Sequence, residues 1–236
     1  MKSKRKWLIP IFCILILLAA FLIYTGSYYH ADMTALAALE SDETVEVEKT
    51  EYGWFFDGPS EEDVFVFYPG AKVEETAYAP LLHRLAGKGM DVCLVKMPFR
   101  FAFFAVGKAG RIPAADDYAS RYIGGHSLGG AMAAWYAAGH DEKYDGVILL
   151  GAYPTKALAD HLQLLSIYGS EDGILNRKKV TDGRKYAPKN YEEYVIDGGN
   201  HAYFGSYGEQ KGDGEALLSA EEQQELTVDF ILEHIR

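Results

Sequence analysis

The chain has 236 residues, 49% of them hydrophobic, 14% aromatic and 24% charged, with eight Pro and 24 Gly. That composition excludes a disordered, collagen-like or low-complexity chain and suits one domain of roughly 200 residues whose core needs no disulfides. Net charge is −11, and four of the 23 basic residues fall in residues 1–24, which carry no acid; the remainder holds 19 basic against 34 acidic groups, repels polyanions, and excludes nucleic acid as an expected partner.

Residues 1–6 form a short basic tail with Lys2, Lys4, Arg5 and Lys6. Trp7 to Tyr24 then run 18 residues without a charge. At about 1.5 Å per residue a helix of this length reaches roughly 27 Å, enough for a bilayer core. Trp7 and Tyr24 stand at its two ends, where interfacial aromatics belong. Residues 7–24 therefore predict a single-pass signal anchor in the cell membrane, and positive-inside bias puts the body outside the cytoplasm. The alternative is a cleaved signal peptide, which would leave the body secreted. The best cut, after Ala31, has Tyr29 where a small residue is preferred, and the apolar run exceeds the usual signal-peptide core. Residues 25–42 read as a polar, partly helical stalk, and 43–236 as one catalytic domain. Cys13 lies in the apolar run and Cys93 in a strand-like segment, so no disulfide framework or zinc site is expected.

In the body, strands are predicted at 44–49, 52–57, 64–68, 91–96, 121–125, 146–151, 163–168 and 192–196. Helices are predicted at 76–88, 128–139, 174–186 and 220–235. Several strand segments (VFVFY, DGVILLG, LQLLSIYG) are continuous apolar runs, the pattern of strands covered on both faces. Alternation with helices predicts an α/β fold: a mostly parallel, doubly wound sheet of about eight strands flanked by helices and preceded by one transmembrane helix. The first two strands precede any body helix and suit an antiparallel edge.

Tyr122 to Ala131 read YIGGHSLGGA, containing Gly125-His126-Ser127-Leu128-Gly129 between a strand and a helix rich in small residues. A G-x-S-x-G in that context is a nucleophile elbow: the serine sits on a tight strand-to-helix turn where side chains at Gly125 and Gly129 would collide with neighbouring backbone. The new helix aims its first N–H groups at developing negative charge. A serine hydroxyl needs a base, and the base needs an orienting acid. Two downstream positions fit in chain order: Asp172 in YGSEDG, just past one strand, and His201 in GGNHAYFG, just past the next. Glu171 and Asp197 are rival acids, and Asp197 is too near His201 in sequence to approach it from another strand. His126 fills a variable elbow position and reads as structural. An oxyanion hole needs two backbone N–H donors. The Leu128 amide supplies one, and the loop Pro69-Gly70-Ala71-Lys72 supplies the other through the Ala71 amide. Phe99, Phe101, Phe103, Phe104, Tyr203 and Phe204 are candidates for an apolar acyl pocket.

Taken in order, FYPGAKV, MPF at 97–99, YIGGHSLGGA, YGSEDG and GGNHAYFGSYG resemble the α/β-hydrolase superfamily over roughly Tyr52 to Ile235. The segments HSLGGAMAA and NHAYFGSYG resemble its compact, lidless bacterial members related to dienelactone hydrolase, although those use a cysteine where this chain has Ser127. The resemblance implies a serine hydrolase of small to medium carboxylic esters, thioesters or lactones, working through a Ser127–Asp172–His201 triad and an acyl-enzyme. It implies no organic cofactor and no metal. Residues 106–119 are short and Gly/Pro-interrupted for the helix expected before the elbow strand. Only about ten residues separate Gly151 from His161, too few for a cap domain, so an open site is expected. Two other readings use the same fold: a catalytically silent membrane-tethered binding module, and an acyltransferase acting on a cell-envelope acceptor.

Overall fold

The computed structural model describes residues 2–60, 62–112 and 118–235; Met1, Glu61, the 113–117 part of the interrupted segment and Arg236 lie outside them. Eight strands form one sheet: β1 (Glu46–Lys49), β2 (Gly53–Asp57), β3 (Asp63–Tyr68), β4 (Met90–Val95), β5 (Ser120–His126), β6 (Gly146–Leu150), β7 (Gln163–Gly169) and β8 (Asn190–Ile196), in the order β1-β2-β4-β3-β5-β6-β7-β8. β1–β2 and β2–β4 pair antiparallel, and the other pairs are parallel. All eight expected strands are present, with the antiparallel edge where it was expected.

The sheet divides the core into two layers, and β3 shows why. Its side chains alternate: Phe65 and Phe67 join one cluster, Val64, Val66 and Tyr68 the other. Both layers are apolar, so the strand reads as an unbroken hydrophobic run. Helices α3 (Ala79–Gly87) and α6 (Ala220–His234) cover the first face. Helix α4 (Leu128–Ala137) covers the second through Ala133, Ala134 and Ala137. The chain order reverses around β3, between β4 and β5, and the crevice beyond the carboxyl ends of β3 and β5 is where open α/β sheets build sites.

Two helices are shorter than expected. The stretch from Thr76 opens with a 3₁₀ turn (Glu75–Tyr78) before α3 proper, in which Pro80 sits in the first turn, where a missing N–H costs nothing. The segment expected to be helical from Ile174 is α-helical only as α5 (Arg177–Gly183). The amides of Ile174 and Leu175 are already committed to the Asp172 carboxylate, and Asn176 caps the helix by accepting from the Lys179 N–H. Between β4 and β5 the described residues hold only 3₁₀ turns, Pro98–Arg100, Ala102–Phe104 and Val106–Arg111.

Helix α1 (Lys2–Gly26) contains one stretch, Ile9–Gly26, long and apolar enough by length and composition to cross a membrane. Its last turns touch the body: Phe21 meets Phe99 and Phe104 at ring-centroid distances of 5.2 and 6.0 Å, and Tyr24 stacks on Phe101. The chain after α1 lies along the body, where Tyr29 forms a β-bridge with Val73. The Tyr29 N–H donates to the Lys72 carbonyl, the Glu74 N–H to the Tyr29 carbonyl, and the Asp32 N–H to the Ser206 carbonyl. Helix α2 (Met33–Ala37) follows, capped by Asp32, which accepts from the Ala35 N–H.

Candidate active site

Ser127 stands between β5 and α4 with φ 52° and ψ −124°, a backbone conformation that non-glycine residues avoid and that costs about 1–3 kcal/mol. The neighbouring glycines make that turn possible. A Cβ on Gly125 would lie 2.0 Å from the Tyr68 carbonyl oxygen, and one on Gly129 would lie 2.3 Å from the carbonyl oxygens of Tyr68 and Pro69. The elbow is therefore pressed against the end of β3, and the Ser127 N–H donates to the Leu150 carbonyl at the end of β6.

Asp172 follows β7 and is buried. Its Oδ1 accepts from the N–H groups of Ile174 (2.9 Å) and Leu175 (2.7 Å), which fixes the carboxylate plane. Its Oδ2 lies 2.7 Å from Nδ1 of His201, which is also buried and follows β8. Glu171 and Asp197 are exposed instead. The opposite ring nitrogen, His201 Nε2, is buried and has no hydrogen-bond partner among the described residues. Ser127, Leu128, Gly151, Leu175 and His201 line one cavity of about 350 Å³. Gly151, at φ +54°, makes room for the ring: a Cβ there would sit 2.9 Å from His201 Nδ1.

The structure thus brings Ser127, Asp172 and His201 to the carboxyl ends of β5, β7 and β8. Leu128 opens α4, so its amide is one of the first-turn donors without an intrahelical acceptor. Ala71 lies in the turn after β3, closed by a Val73 N–H to Gly70 carbonyl bond, and no described backbone carbonyl accepts from its amide. None of the six candidate aromatics lines the Ser127 cavity. Phe101 and Phe204 are buried in the body, and Phe99, Phe103 and Phe104 are exposed.

Two supporting groups escaped the sequence reading. Asp213 ties the two site loops together: Oδ1 accepts from the Gly173 N–H (3.0 Å) and Oδ2 from the Ala202 N–H (2.8 Å). The only sequence signal is an acid between glycines in KGDGEA. Tyr78 links the loop of Ala71 to the histidine layer, because its hydroxyl accepts from the Gly70 N–H (3.0 Å) and lies 2.8 Å from His126 Nδ1. With one lone pair taken by Gly70, that hydroxyl keeps its proton and a second lone pair for the contact with Nδ1, so it serves either neutral tautomer of His126. The His126 ring packs on His201 with centroids 4.4 Å apart. Burial holds the His126 pKa well below the ordinary histidine value, and His201 pushes it the same way, while a polar contact with the His201 backbone opposes them.

The sequence model of the alpha/beta hydrolase family matches residues 64–225, from β3 into α6. The chain belongs to the alpha/beta hydrolase family. No curated protein sequence matches it significantly. Among solved alpha/beta hydrolase structures it is similar to dienelactone hydrolase from Anabaena variabilis, at 14% identity and TM-score 0.57, over 82% of this chain and 100% of that one. It is also similar to a monoacylglycerol lipase from Paleococcus ferrophilus, at 16% identity and TM-score 0.58, over 80% and 100% of the two chains. A bacterial membrane phospholipase A aligns at 12% identity and TM-score 0.58, over 97% of this chain and 98% of its own. At these identities the likeness is one of fold.

Proposed function

We propose that this alpha/beta hydrolase is a serine hydrolase of small to medium carboxylic esters, thioesters or lactones. One observation carries the reading: the 2.7 Å contact between His201 Nδ1 and Asp172 Oδ2, with Nε2 buried and unpartnered, on a residue that lines the same cavity as Ser127. An imidazole held this way carries its proton on Nδ1 and offers Nε2 as a base.

In the proposed reaction Ser127 Oγ attacks the ester carbonyl carbon while His201 Nε2 takes the hydroxyl proton. Asp172 stabilises the imidazolium and does not itself take the proton. The oxyanion accepts from the Leu128 and Ala71 amides, an interaction whose loss at one donor typically costs about 3 kcal/mol. The bond to the leaving oxygen then breaks, and that oxygen takes the proton from Nε2. Water, activated by the same nitrogen, attacks the acyl-enzyme and releases the acid and free Ser127. α1 serves as a signal anchor that holds the body on the outer side of the cell membrane.

Fluorophosphonate labelling of the purified chain, with the site mapped by mass spectrometry, tests this directly. Wild type labels at Ser127, and Ser127→Ala and His201→Ala do not. A folded wild type that fails to label overturns the reading. Product analysis with added alcohols separates hydrolysis from transfer to an acceptor.

A further inference from the structure

Phe99, Phe103 and Phe104 are 47%, 50% and 45% exposed. They pack on one another, with centroids 5.6 Å apart for Phe99–Phe104 and 4.1 Å for Phe103–Phe104, so the exposed apolar surface is contiguous. Contiguous aromatic surface of this kind marks an interaction site. The backbone is strained to present it: Phe99 and Arg100 have φ of 52° and 61°, which bulky residues avoid.

Helix α1 identifies the partner. Phe21, on α1, touches both Phe99 and Phe104. It lies three residues before Tyr24, so the helical rise puts it about 4.5 Å inside the expected end of the span. Farther from the body, Ile9, Phe12, Ile14 and Leu17 are each more than 60% exposed, so nothing in the described chain covers them. A bilayer that takes up α1 therefore meets Phe99 and Phe104 at the depth of Phe21. Two cations flank the phenylalanines on a body that is otherwise acidic: Lys72 Nζ lies 4.3 Å above the Tyr24 ring and the Arg100 guanidinium 3.2 Å above the Tyr28 ring. Apolar rings below and cations with tyrosines above match the layering of a membrane interface.

The same lobe is bonded to the candidate site. The Lys72 N–H donates to the Arg100 carbonyl at 3.0 Å, and Lys72 directly follows Ala71. We propose that Phe99, Phe103 and Phe104 seat in the leaflet that receives the carboxyl end of α1, and that the ester cleaved at Ser127 belongs to an amphiphile resident in that leaflet. The substrate half rests on the serine-hydrolase reading; the seating half does not.

The test uses the full chain in vesicles of phosphatidylcholine and phosphatidylglycerol. In a Cys13→Ala background, Phe103→Cys and Lys189→Cys carry a nitrobenzoxadiazole label; Cys93 is buried. Lys189 is exposed and precedes β8 at the amino end of the parallel strands, opposite the carboxyl end of β4 that leads to Phe99. The label at 103 is expected to be quenched at least twofold by lipid carrying a nitroxide on its acyl chain, and the label at 189 to be unaffected. A label at 103 that behaves as in water overturns the seating. Activity is read on p-nitrophenyl butyrate in solution and on 4-methylumbelliferyl oleate dissolved in the vesicles. Phe103→Ser/Phe104→Ser is expected to keep the first within twofold and to lose at least fivefold on the second. Equal losses overturn the substrate half. If the wild type cleaves neither ester and Ser127 does not label, the substrate half falls with the serine-hydrolase reading, while quenching still decides the seating.

Discussion

Replacing Asp172 by Asn changes one atom and tests the logic of the site. Asp172 Oδ1 accepts from two backbone amides at 2.9 and 2.7 Å, and Oδ2 faces His201 Nδ1 at 2.7 Å. Asn has one oxygen to serve both sides. With its oxygen toward His201, its NH₂ group opposes two buried N–H donors, and leaving both unsatisfied costs roughly 2–6 kcal/mol at about 1–3 each. With its oxygen toward the amides, its NH₂ donates to Nδ1, and the imidazole proton must move to Nε2. The second placement wins, and it takes from His201 the free Nε2 lone pair that the proposed mechanism uses as its base. We expect kcat/KM for p-nitrophenyl butyrate to fall about 10³–10⁴-fold, the size of this tautomer error in the serine-protease template. Three hydrogen-bonded contacts survive, so the melting temperature should drop by only a few degrees. A folded Asp172→Asn enzyme within tenfold of wild type would refute the argument.

Gly151→Ala puts a Cβ 2.9 Å from His201 Nδ1 at a position with φ +54°; we expect at least a hundredfold loss of kcat/KM for about 1 kcal/mol of stability, and activity near wild type would show that the ring is free to move. Asp213→Ala removes the acceptor shared by the Gly173 and Ala202 amides. It should lower kcat 10–100-fold and speed hydrogen exchange at Ala202 at least tenfold; unchanged exchange would contradict the clamp. The folded chain keeps His126 neutral below its ordinary pKa near 6.5, whereas the unfolded chain protonates there. Its contribution to stability is therefore complete above that pH and is lost as pH falls, by about 1.4 kcal/mol per unit until the depressed folded pKa is reached. Urea denaturation at pH 6.5 and 5.5 should show this loss, and His126→Gln should reduce it.

The sheet was legible because its central strands are apolar on both faces, and each run is bounded by Gly, Pro or charged residues that mark its ends. α5 was misjudged because the amides of Ile174 and Leu175 are held by Asp172, a bond that no helical periodicity reveals. The turns at 98–111 were equally hidden, since left-handed conformations fall on Phe99 and Arg100, where sequence offers no glycine as a signal. In the site, motif order pointed to Ser127, Asp172 and His201 because each follows its own strand. Asp213 and Tyr78 act across the chain, 40 residues from Gly173 and 48 from His126, through contacts that exist only after folding.

The segment joining α1 to the body is bonded on two sides, to the loop after β3 through Tyr29 and to the stretch beyond His201 through Asp32. A protease cutting after Ala31 would therefore do more than free a tether. It would strip the Glu74 amide of its acceptor on Tyr29 and the Lys72 carbonyl of its donor, on the loop that also carries Ala71. Maturation at that bond would leave the loop that carries Ala71 to replace two backbone hydrogen bonds with bonds to water.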